Sequence, residues 1–586
     1  MMKLKELGLL AVMATILFWI VVLICIFVLP LTVSLGAAYF AVTFVLGSFS
    51  PNTIEDIALA KMKSISPLAK FATKHRAPLV MAFVLPMSLV FDTFFYLRTQ
   101  FIVRSNSAPD MHDQRVEEVQ RQVKQWIADG SQRPMATARP GWLVISPKYM
   151  TYKAGVHKVK VDMYDVLELD EEAMTVRVEP CVSMGQLSHV LTAKGYTIPV
   201  LPEMDDLTVG GLICGCGIES SSHLYGLFQA TCTQFEIVGA DGELHRASED
   251  ENPELFRAIP WSYGSLGFLV SATIRIVPAK KFVKLTYTPF DDAAAYCKYF
   301  EEQSKLPEGE AALFVEGLVY SKDRAVIMTG NMVDEVGDDA PLNAIGSFWK
   351  PWFFKHVESL LTGMGGANDG AEVVEYLPLR DYYHRHTRSI FWEAQDIIPI
   401  GNHPLFRLLF GWMMPPKVSF LKLTQTEALH RMYKEQHVIQ DMLVPINKLQ
   451  LSIEKFDEQY QLYPLWLCPM KLFDVPGFVQ PKIDEHMFVD IGAYGVPESA
   501  RRGEFDGEAS GKVVEAFVAE HKGFQMLYAD SYLSRDEFRS MFDHTLLDKL
   551  RKATKAERAF PEPFAKVCHK AGSTADAATG KAKKTN

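Results

Sequence analysis

The 586-residue sequence has little cysteine and no excess of positive charge. Its eight cysteines are scattered without paired spacing, which excludes the dense disulfide framework of a small secreted domain. The formal net charge is −10, whereas a general nucleic-acid-binding protein needs a basic face to neutralise phosphates. We therefore expect a reducing compartment and small or lipid ligands, with no nucleic acid among the partners.

Familiar metal and nucleotide motifs are also missing. The sequence has neither the Lys-Ser/Thr ending of a Walker loop nor a G-x-G-x-x-G string after a strand. Only one residue separates Cys214 from Cys216, whereas zinc half-sites and thioredoxin motifs have two. His384 and His386 have no third ligand with supporting spacing. The sequence therefore predicts no metal site.

Charged side chains are absent from residues 7 to 54, a run that is too long for a signal peptide. Pro30 divides the run into two predicted membrane helices, about 8–29 and 32–49, each near the length that crosses a hydrocarbon core. A third apolar stretch, 79–97, has Pro86 in its middle and ends in aromatic residues, as in a broken or interfacial helix. Residues 1–98 are therefore predicted to anchor the protein in a membrane.

Basic residues beside these segments predict the orientation of the anchor, because they favour the cytoplasmic side. An interfacial third segment would leave the large body in the cytosol, whereas a third full crossing would place it in the lumen. We favour the first arrangement. The basic residues are Lys3 and Lys5 before the first segment, and Lys61, Lys63, Lys70, Lys74 and Arg76 between the second and third.

The remaining chain begins with an amphipathic helix over 113–129, in which apolar residues recur every three or four positions. Short β-branched or alternating runs predict strands at 142–145, 159–161 and 174–178. Helices are predicted near 184–194 and 511–520. The order of elements is typical of an α+β fold rather than of a regular Rossmann alternation.

A glycine-rich segment follows at residues 201–222, with the sequence LPEMDDLTVGGLICGCGIESSS. Four glycines within eight positions remove side chains where a backbone would approach a ligand, and they leave amides free to face phosphates. Three serines add hydroxyl donors. The glycines are Gly210, Gly211, Gly215 and Gly217, and the serines are Ser220, Ser221 and Ser222.

This segment and several others resemble the delta(24)-sterol reductases, a family of vanillyl-alcohol-oxidase-like flavoproteins. The similarity extends from about Pro78 to Val567. The segments that carry it are Thr208–Leu212 with Gly215–Phe228, Arg139–Trp142, Trp261–Phe268, Ile276–Lys281, Lys350–His356, Tyr382–Glu393 and Gly523–Asp530.

The resemblance implies a two-domain FAD-binding PCMH-type body behind the membrane segment. We expect the FAD-binding domain at 105–280, a substrate or cap domain at 281–480, and a return of the chain to the FAD domain at 481–567. The aromatic-rich cap would form an apolar substrate tunnel, since burial of apolar area supplies nearly all the binding energy of a sterol. Residues 568–586 are small, polar and basic, and are expected to be disordered.

The resemblance also implies a set of FAD-binding residues. The pyrophosphate would lie on the loop from Thr208 to Ser220, with Arg139 and His223 offsetting its charge. Gly264, Ser265 and Gly267 would line the adenine side. Many relatives in the wider superfamily carry a histidine in the corresponding loop that can attach flavin covalently. No histidine occurs in Arg139–Trp142, so noncovalent FAD is implied. The residues of the loop are Thr208, Val209, Gly210, Gly211, Leu212, Ile213, Cys214, Gly215, Cys216, Gly217, Ile218, Glu219 and Ser220.

The implied reaction is the reduction of a carbon-carbon double bond in a sterol side chain, with NADPH as electron donor. An acid would protonate one carbon while reduced flavin delivers hydride to the other. Tyr383, His384 and Glu393 are the candidate proton donors, and the sequence does not choose among them. The resemblance further implies an endoplasmic reticulum membrane protein that forms a homo-oligomer or associates with other sterol-synthesis enzymes.

Other interpretations remain open at this point. The chain also fits a membrane-tethered flavin oxidase that acts on an alcohol, a sugar acid or a lactone. A membrane scaffold with an inactive flavin domain is disfavoured, because such a domain would gain stability by replacing its loop glycines. The sequence does not distinguish the 24 from the 24(28) double bond, or NADPH from NADH.

Overall fold

The computed structural model describes residues 76–93, 97, 109–144, 151–338, 340–363, 371–424 and 435–568. The predicted helices 8–29 and 32–49 lie outside these ranges, as do residues 569–586 of the predicted tail. Within the described ranges, no helix combines the length and the apolar character needed to cross a bilayer.

The first sheet has five antiparallel strands and lies in the predicted FAD-binding region. Within this sheet, Thr175–Val178 alternates buried with half-buried positions, whereas Phe268–Arg275 is buried along most of its length because its residues pack into two hydrophobic clusters. Helix His112–Ala128 packs against it through Val116, Val119, Val123 and Trp126, as the predicted spacing requires. The spatial order is Val166–Asp170, Thr175–Val178, Phe268–Arg275, Cys232–Val238 and Leu244–Ser248.

The second sheet has eight antiparallel strands and contains most of the buried side chains of the cap region. Helices Ala293–Lys305, Leu449–Tyr460 and Gly507–Glu520 pack against it. The spatial order is Val373–Pro378, Phe282–Phe290, Arg324–Val333, Phe314–Ser321, Leu465–Lys471, Met487–Gly495, Val438–Pro445 and Phe524–Gln525. The mixture of helices with two mainly antiparallel sheets is the predicted α+β class.

The strand at Met487–Gly495 is central to the second sheet, so a domain boundary at residue 480 would cut through that sheet. After this strand, Phe524 and Phe542 already lie against Trp261 of the first domain. Helices Thr545–Ala553 and Pro563–Val567 add further contacts, since Arg551 donates to the Ser265 carbonyl at 2.6 Å and Phe560 packs against Phe268. We therefore propose that the chain returns to the FAD domain from about residue 524 onward.

Shorter elements complete the described part of the chain. Two small sheets pair Met135–Thr137 with His157–Val159 and Tyr196–Thr197 with Val277–Pro278. The other helices of five or more residues are Met184–Thr192, Val209–Cys214, Pro253–Ala258, Phe353–Gly363, Leu379–Tyr383, Glu393–Ile397, Pro404–Phe410, Val418–Thr424 and Arg535–Met541.

One local prediction is wrong. The strand at 142–145 is instead a 3-10 turn at Gly141–Leu143, closed by a hydrogen bond from Leu143 N–H to the Pro140 carbonyl at 3.1 Å. Pro140 and Gly141 favour a turn over a strand. The sequence leaves strand and helix open for the segment 384–388, where the structure has the end of a helix at Tyr383 followed by a 3-10 turn at Thr387–Ser389.

The third apolar stretch forms a helix from residue 76 to residue 93, with a π-helical turn at Val80–Val84. Pro86 explains this turn, because it has no N–H and its ring clashes with the carbonyl four residues earlier. The Leu85 N–H accordingly donates to the Val80 carbonyl, five residues back. The helix lies against the body of the protein, where Val80 and Leu85 pack with Ile397 and Phe406.

Candidate active site

The glycine-rich loop contains the short helix Val209–Cys214, which begins after Thr208. The Val209 and Gly210 amides donate to the carbonyls of Val182 and Pro180 at 2.9 and 2.8 Å, so they serve the fold. The side chains of Val209, Leu212 and Ile213 are buried in the core. A ligand on this loop would therefore meet backbone from Gly211 onward rather than the first two amides.

The loop glycines differ in what surrounds them. A Cβ at Gly210, Gly215 or Gly217 would lie 2.8 Å from Pro180 Cβ, Gly211 O or Leu212 Cδ2 respectively, so internal packing requires these glycines. A Cβ at Gly267 would lie 2.6 Å from the Val238 carbonyl oxygen. Gly211 is exposed, and its nearest neighbour would be Thr208 Oγ1 at 3.1 Å. Gly211 is thus the loop glycine that faces open space.

A turn with unusual backbone angles lies against this loop. Trp261, Tyr263 and Gly264 have φ values of 63°, 52° and 67°, and left-handed φ at a bulky aromatic residue is strained. The Tyr263 N–H donates to the Cys214 carbonyl at 2.7 Å. Strained backbone of this kind concentrates at ligand-binding sites. The turn includes Gly264, one of the predicted FAD-binding residues.

Four cationic side chains cluster beside the loop and the turn. Lys566 Nζ donates to the Tyr263 carbonyl at 2.6 Å, and Lys422 Nζ donates to the Val144 carbonyl at 2.8 Å. Lys153 donates to the carbonyl of Arg139, the fourth cation. Burial lowers the pKa of Lys153 and of Lys422 to about 8, and lowers that of Lys566 to about 7.

Repulsion among these cations adds to the burial effect. Arg139 further lowers the pKa of Lys153, while Arg551 and Lys153 further lower that of Lys566. Among the residues that the structure describes, no carboxylate pairs with Lys153 or Lys566. Buried cations normally have anionic partners, so the cluster fits an anionic ligand. The sequence prediction named Arg139 but missed the three lysines, which lie far apart along the chain.

The segment 382–386 fastens the end of the loop to the second sheet. Arg385 is fully buried, and it donates to Glu219 Oε1 at 2.8 Å and to both Glu316 oxygens at 2.6 and 2.7 Å. The Tyr382 and Ser220 hydroxyls hydrogen-bond at 3.0 Å. Glu219 and Ser220, two predicted FAD-binding residues, are therefore held by the cap domain.

The three predicted proton donors have separate surroundings. The Tyr383 hydroxyl lies 3.1 Å from that of Thr197, and burial raises its pKa. His384 Nδ1 lies 2.6 Å from the Glu203 carbonyl oxygen, its Nε2 lies 3.2 Å from Asp205, and burial lowers its pKa. Glu393 pairs with His437 Nε2 at 2.7 Å. Their roles as proton donors stay a prediction.

His223 and His386, two further histidines near these residues, are held by contacts within the protein. His223 is buried, with its two ring nitrogens 3.1 and 2.9 Å from the carbonyls of Ser220 and Ala312, and burial lowers its pKa. His386 is stacked on Phe391, and burial lowers its pKa also. The described residues include no group of three or more His, Cys, Asp or Glu side chains placed to hold a metal.

A buried carboxylate pair lies on the face of the second sheet that meets the loop. Asp441 pairs with Gly492 on the neighbouring strand, and residues directly opposite each other share a face of the sheet. Asp490 lies two residues before Gly492 on that strand, so both carboxyl groups project from the same face. Both side chains are fully buried and interact directly. Tyr494 and Tyr528 each donate a hydroxyl hydrogen bond to Asp441.

This pair retains a proton more readily than ordinary aspartates do. Burial raises the pKa of Asp441 to about 6 despite the two tyrosine donors. Burial and the charge of Asp441 raise the pKa of Asp490 well above its usual range, and the described part of the chain supplies no donor to either Asp490 oxygen. One proton shared by the pair is the expected state at neutral pH.

The carboxylate pair is close to the loop. Burial, followed by the charges of Asp441 and Asp490, raises the pKa of the Cys216 thiol. Burial and the same thiol raise the pKa of the Tyr263 hydroxyl. Sequence reasoning did not single out Asp441 or Asp490. A charged residue within each of two strongly apolar strands was the available signal, since an aspartate rarely occupies such a position unless it is paired.

Known proteins similar to this chain cover almost its whole body. The delta(24)-sterol reductase of Rattus norvegicus is 52% identical over 490 residues, which is 83% of this chain and 92% of that protein. The chain belongs to the delta(24)-sterol reductase family. The delta(24)-sterol reductase of Arabidopsis thaliana is 38% identical over 545 residues, which is 87% of this chain and 94% of that protein. The Caenorhabditis elegans delta(24)-sterol reductase homolog is 45% identical over 501 residues, covering 83% and 94%.

A family model described as "FAD binding domain" matches residues 148–248 of this reductase-family chain. The match contains the whole glycine-rich loop, and it makes the chain an FAD-dependent oxidoreductase. The geometry fits this cofactor, because Gly211 faces open space and, within the described part of the chain, Lys153 and Lys566 pair with no carboxylate. Gly211, Arg139, Lys153, Lys422 and Lys566 would hold the FAD pyrophosphate.

Proposed function

We propose that this chain reduces the side-chain double bond of a sterol, with noncovalently bound FAD and with NADPH as the electron donor. The observation that carries the chemistry is the buried Asp441–Asp490 pair beside Cys216 of the loop. Reduction of an isolated alkene needs a proton donor in a site without water, and this pair retains a proton in such a site. Membership of the delta(24)-sterol reductase family supports the choice of substrate.

Bound FAD, once reduced by NADPH, would supply the hydride. Asp490 is the proposed acid, because its oxygens accept no hydrogen bond from the described residues that would stabilise the anion. Asp441 is the more stable anion of the pair, since the Tyr494 and Tyr528 hydroxyls donate to it. The proton on Asp490 would pass to the alkene carbon, which leaves both carboxyl groups ionised until a proton from solvent restores the singly protonated pair.

An Asp490→Asn variant tests this assignment by rapid mixing. We expect NADPH to reduce the bound flavin at the normal rate, and flavin reoxidation by sterol to slow by about 10² to 10⁴. In the unsubstituted protein, Asp490 should stay protonated through the usual carboxylate range because its pKa is raised. The reoxidation rate should fall only at higher pH, where Asp490 loses its proton.

Matched variants at the three other predicted donors complete the experiment. His384→Ala, Tyr383→Phe and Glu393→Gln should each retain the pH-dependent reoxidation step. Normal reoxidation in Asp490→Asn would move the acid to one of those residues. Peroxide formation without alkene reduction would instead favour the alternative, a flavin oxidase acting on an alcohol, a sugar acid or a lactone.

We also propose that the protein resides in the endoplasmic reticulum membrane with its body in the cytosol. The uncharged run at residues 7–54 and the basic residues that flank it support this placement. Protease treatment of sealed microsomes tests the orientation. A cytosolic body would be digested without detergent, whereas a lumenal body would be protected.

A further inference from the structure

An outward-facing apolar stripe runs along the segment 404–413. Its three leucines share one face of the helix Pro404–Phe410, and its tryptophan follows in the 3-10 turn Gly411–Met413. They are 46% to 63% exposed, although the opposite face of the same segment buries Phe406 and Met413. The segment is therefore apolar on both sides. The exposed side chains are Leu405, Leu408, Leu409 and Trp412.

The neighbouring helix, residues 76–93, extends this surface. Phe83 and Met87 lie one turn apart and are 47% and 43% exposed. Their helix contacts the first segment through a shared core that includes Val80 and Phe406. No charged residue occurs between 77 and 91. We use the term apolar patch for Phe83, Met87, Leu405, Leu408, Leu409 and Trp412.

Exposure of this patch to water would be costly. Each apolar side chain that stays in water forgoes about 25 cal/mol per Å² of burial. Soluble proteins rarely expose contiguous apolar surfaces larger than a few hundred Å² unless another surface covers them. The spacing of the patch on two helices, together with a tryptophan at its end, is typical of a helix that lies in the membrane interface.

We propose that the apolar patch lies in the headgroup and acyl-chain boundary of a lipid bilayer, as a second membrane contact of the body. The uncharged run at residues 7–54 precedes the patch helix in the chain, so a membrane segment there would bring the patch to a bilayer. Lys417 marks a polar edge, because it pairs with Asp92 and Asp206 at 2.8 and 2.7 Å. Contact with a bilayer would remove all six apolar side chains from water at once.

The patch is also connected to the candidate active site. Ile397 and Ile398 belong to the core beneath the patch, and they end the helix Glu393–Ile397. At the other end of that helix, Trp392 Nε1–H donates to the Tyr494 carbonyl at 2.7 Å. Tyr494 in turn donates to Asp441. One short helix thus separates the proposed membrane contact from the carboxylate pair.

Lipid quenching of a fluorescent label on the full chain tests this contact. Leu408→Cys and the control Val513→Cys, an exposed position on helix Gly507–Glu520, are labelled with a maleimide fluorophore. The unsubstituted protein gives the background from native cysteines. In phosphatidylcholine vesicles with spin-labelled acyl chains, we expect at least about twofold stronger quenching at position 408.

Equal quenching at the two positions would overturn the proposal. An unquenched label at position 408 would also overturn it. Residues 1–75 or a second copy of the chain would then cover the patch, and light scattering would detect the second copy. None of these readouts requires sterol turnover, so they are independent of the proposed reaction. As a functional arm, Leu408→Asp should raise the KM for sterol in vesicles about tenfold, whereas Val513→Asp should leave it unchanged.

Discussion

At the scale of single residues, the loop separates glycines that the fold requires from one that a ligand requires. Gly210, Gly215 and Gly217 have protein atoms 2.8 Å from a would-be Cβ, whereas Gly211 has open space beyond Thr208. A side chain at Gly211 would therefore block an approaching ligand without disturbing the core. This difference makes Gly211 the position that reports on FAD.

A Gly211→Val variant should fold but lose flavin. Its branched side chain would occupy the space needed by the FAD pyrophosphate. We expect flavin absorbance per mole of protein to fall at least about tenfold, with sterol reduction falling in parallel. Gly477→Val is the control, because a Cβ there would meet only backbone oxygens at 3.4 Å or farther. Normal flavin content in Gly211→Val would contradict the placement of the cofactor.

The sequence alone predicts the glycine-rich loop, but it does not predict the lysines and aspartates that lie beside the loop. Glycine spacing along the chain is local information, so residues 208–220 are predictable without a fold. The cations at Lys153, Lys422 and Lys566 meet only after three distant segments pack together. Asp441 and Asp490 likewise become neighbours through pairing of the strands Val438–Pro445 and Met487–Gly495. Such nonlocal pairings are invisible in a single sequence.

At the scale of elements, the helix Leu379–Tyr383 and the residues after it connect the two sheets. Arg385 sits between Glu219 of the loop and Glu316 of the strand Phe314–Ser321, with Glu203 at 3.7 Å. Although burial opposes ionisation, the charge of Arg385 holds the pKa of Glu316 well below its usual range. The sequence places candidate proton donors in this segment, and their role stays a prediction. The structure adds a buried ion cluster that joins two elements.

An Arg385→Met variant should therefore destabilise the junction between the sheets. Removing the cation leaves carboxylates buried without a partner, which costs roughly 3–5 kcal/mol. The free energy of unfolding in urea, measured on the detergent-solubilised holoprotein, gives this loss. The double variant Arg385→Met/Glu316→Gln should recover part of it, because one of the stranded charges is gone. An unchanged urea midpoint in the single variant would show that the cluster contributes no stability.

At the scale of the whole molecule, the predicted membrane anchor and the proposed membrane contact of the body occupy different parts of the chain. Charge patterning predicts an anchor in residues 1–98, most of which lie outside the described residues. The described helix at 76–93 lies along the body, and the apolar patch continues from it onto the segment 404–413. The predicted attachment through the first part and the proposed contact through the second are separable by experiment, because they lie in different stretches of chain.

Deletion of residues 1–75 separates these two contributions. The full chain should stay with membranes after alkaline carbonate extraction, as expected for helices that cross a bilayer. The truncated chain retains the apolar patch, so we expect it to sediment with vesicles at neutral pH but to be released by carbonate. Adding Leu408→Asp and Trp412→Asp to the truncation should abolish sedimentation, while the control Val513→Asp should leave it intact. Flavin absorbance verifies that each truncated protein is folded. Carbonate-resistant sedimentation of the truncation would place a membrane-crossing element beyond residue 75.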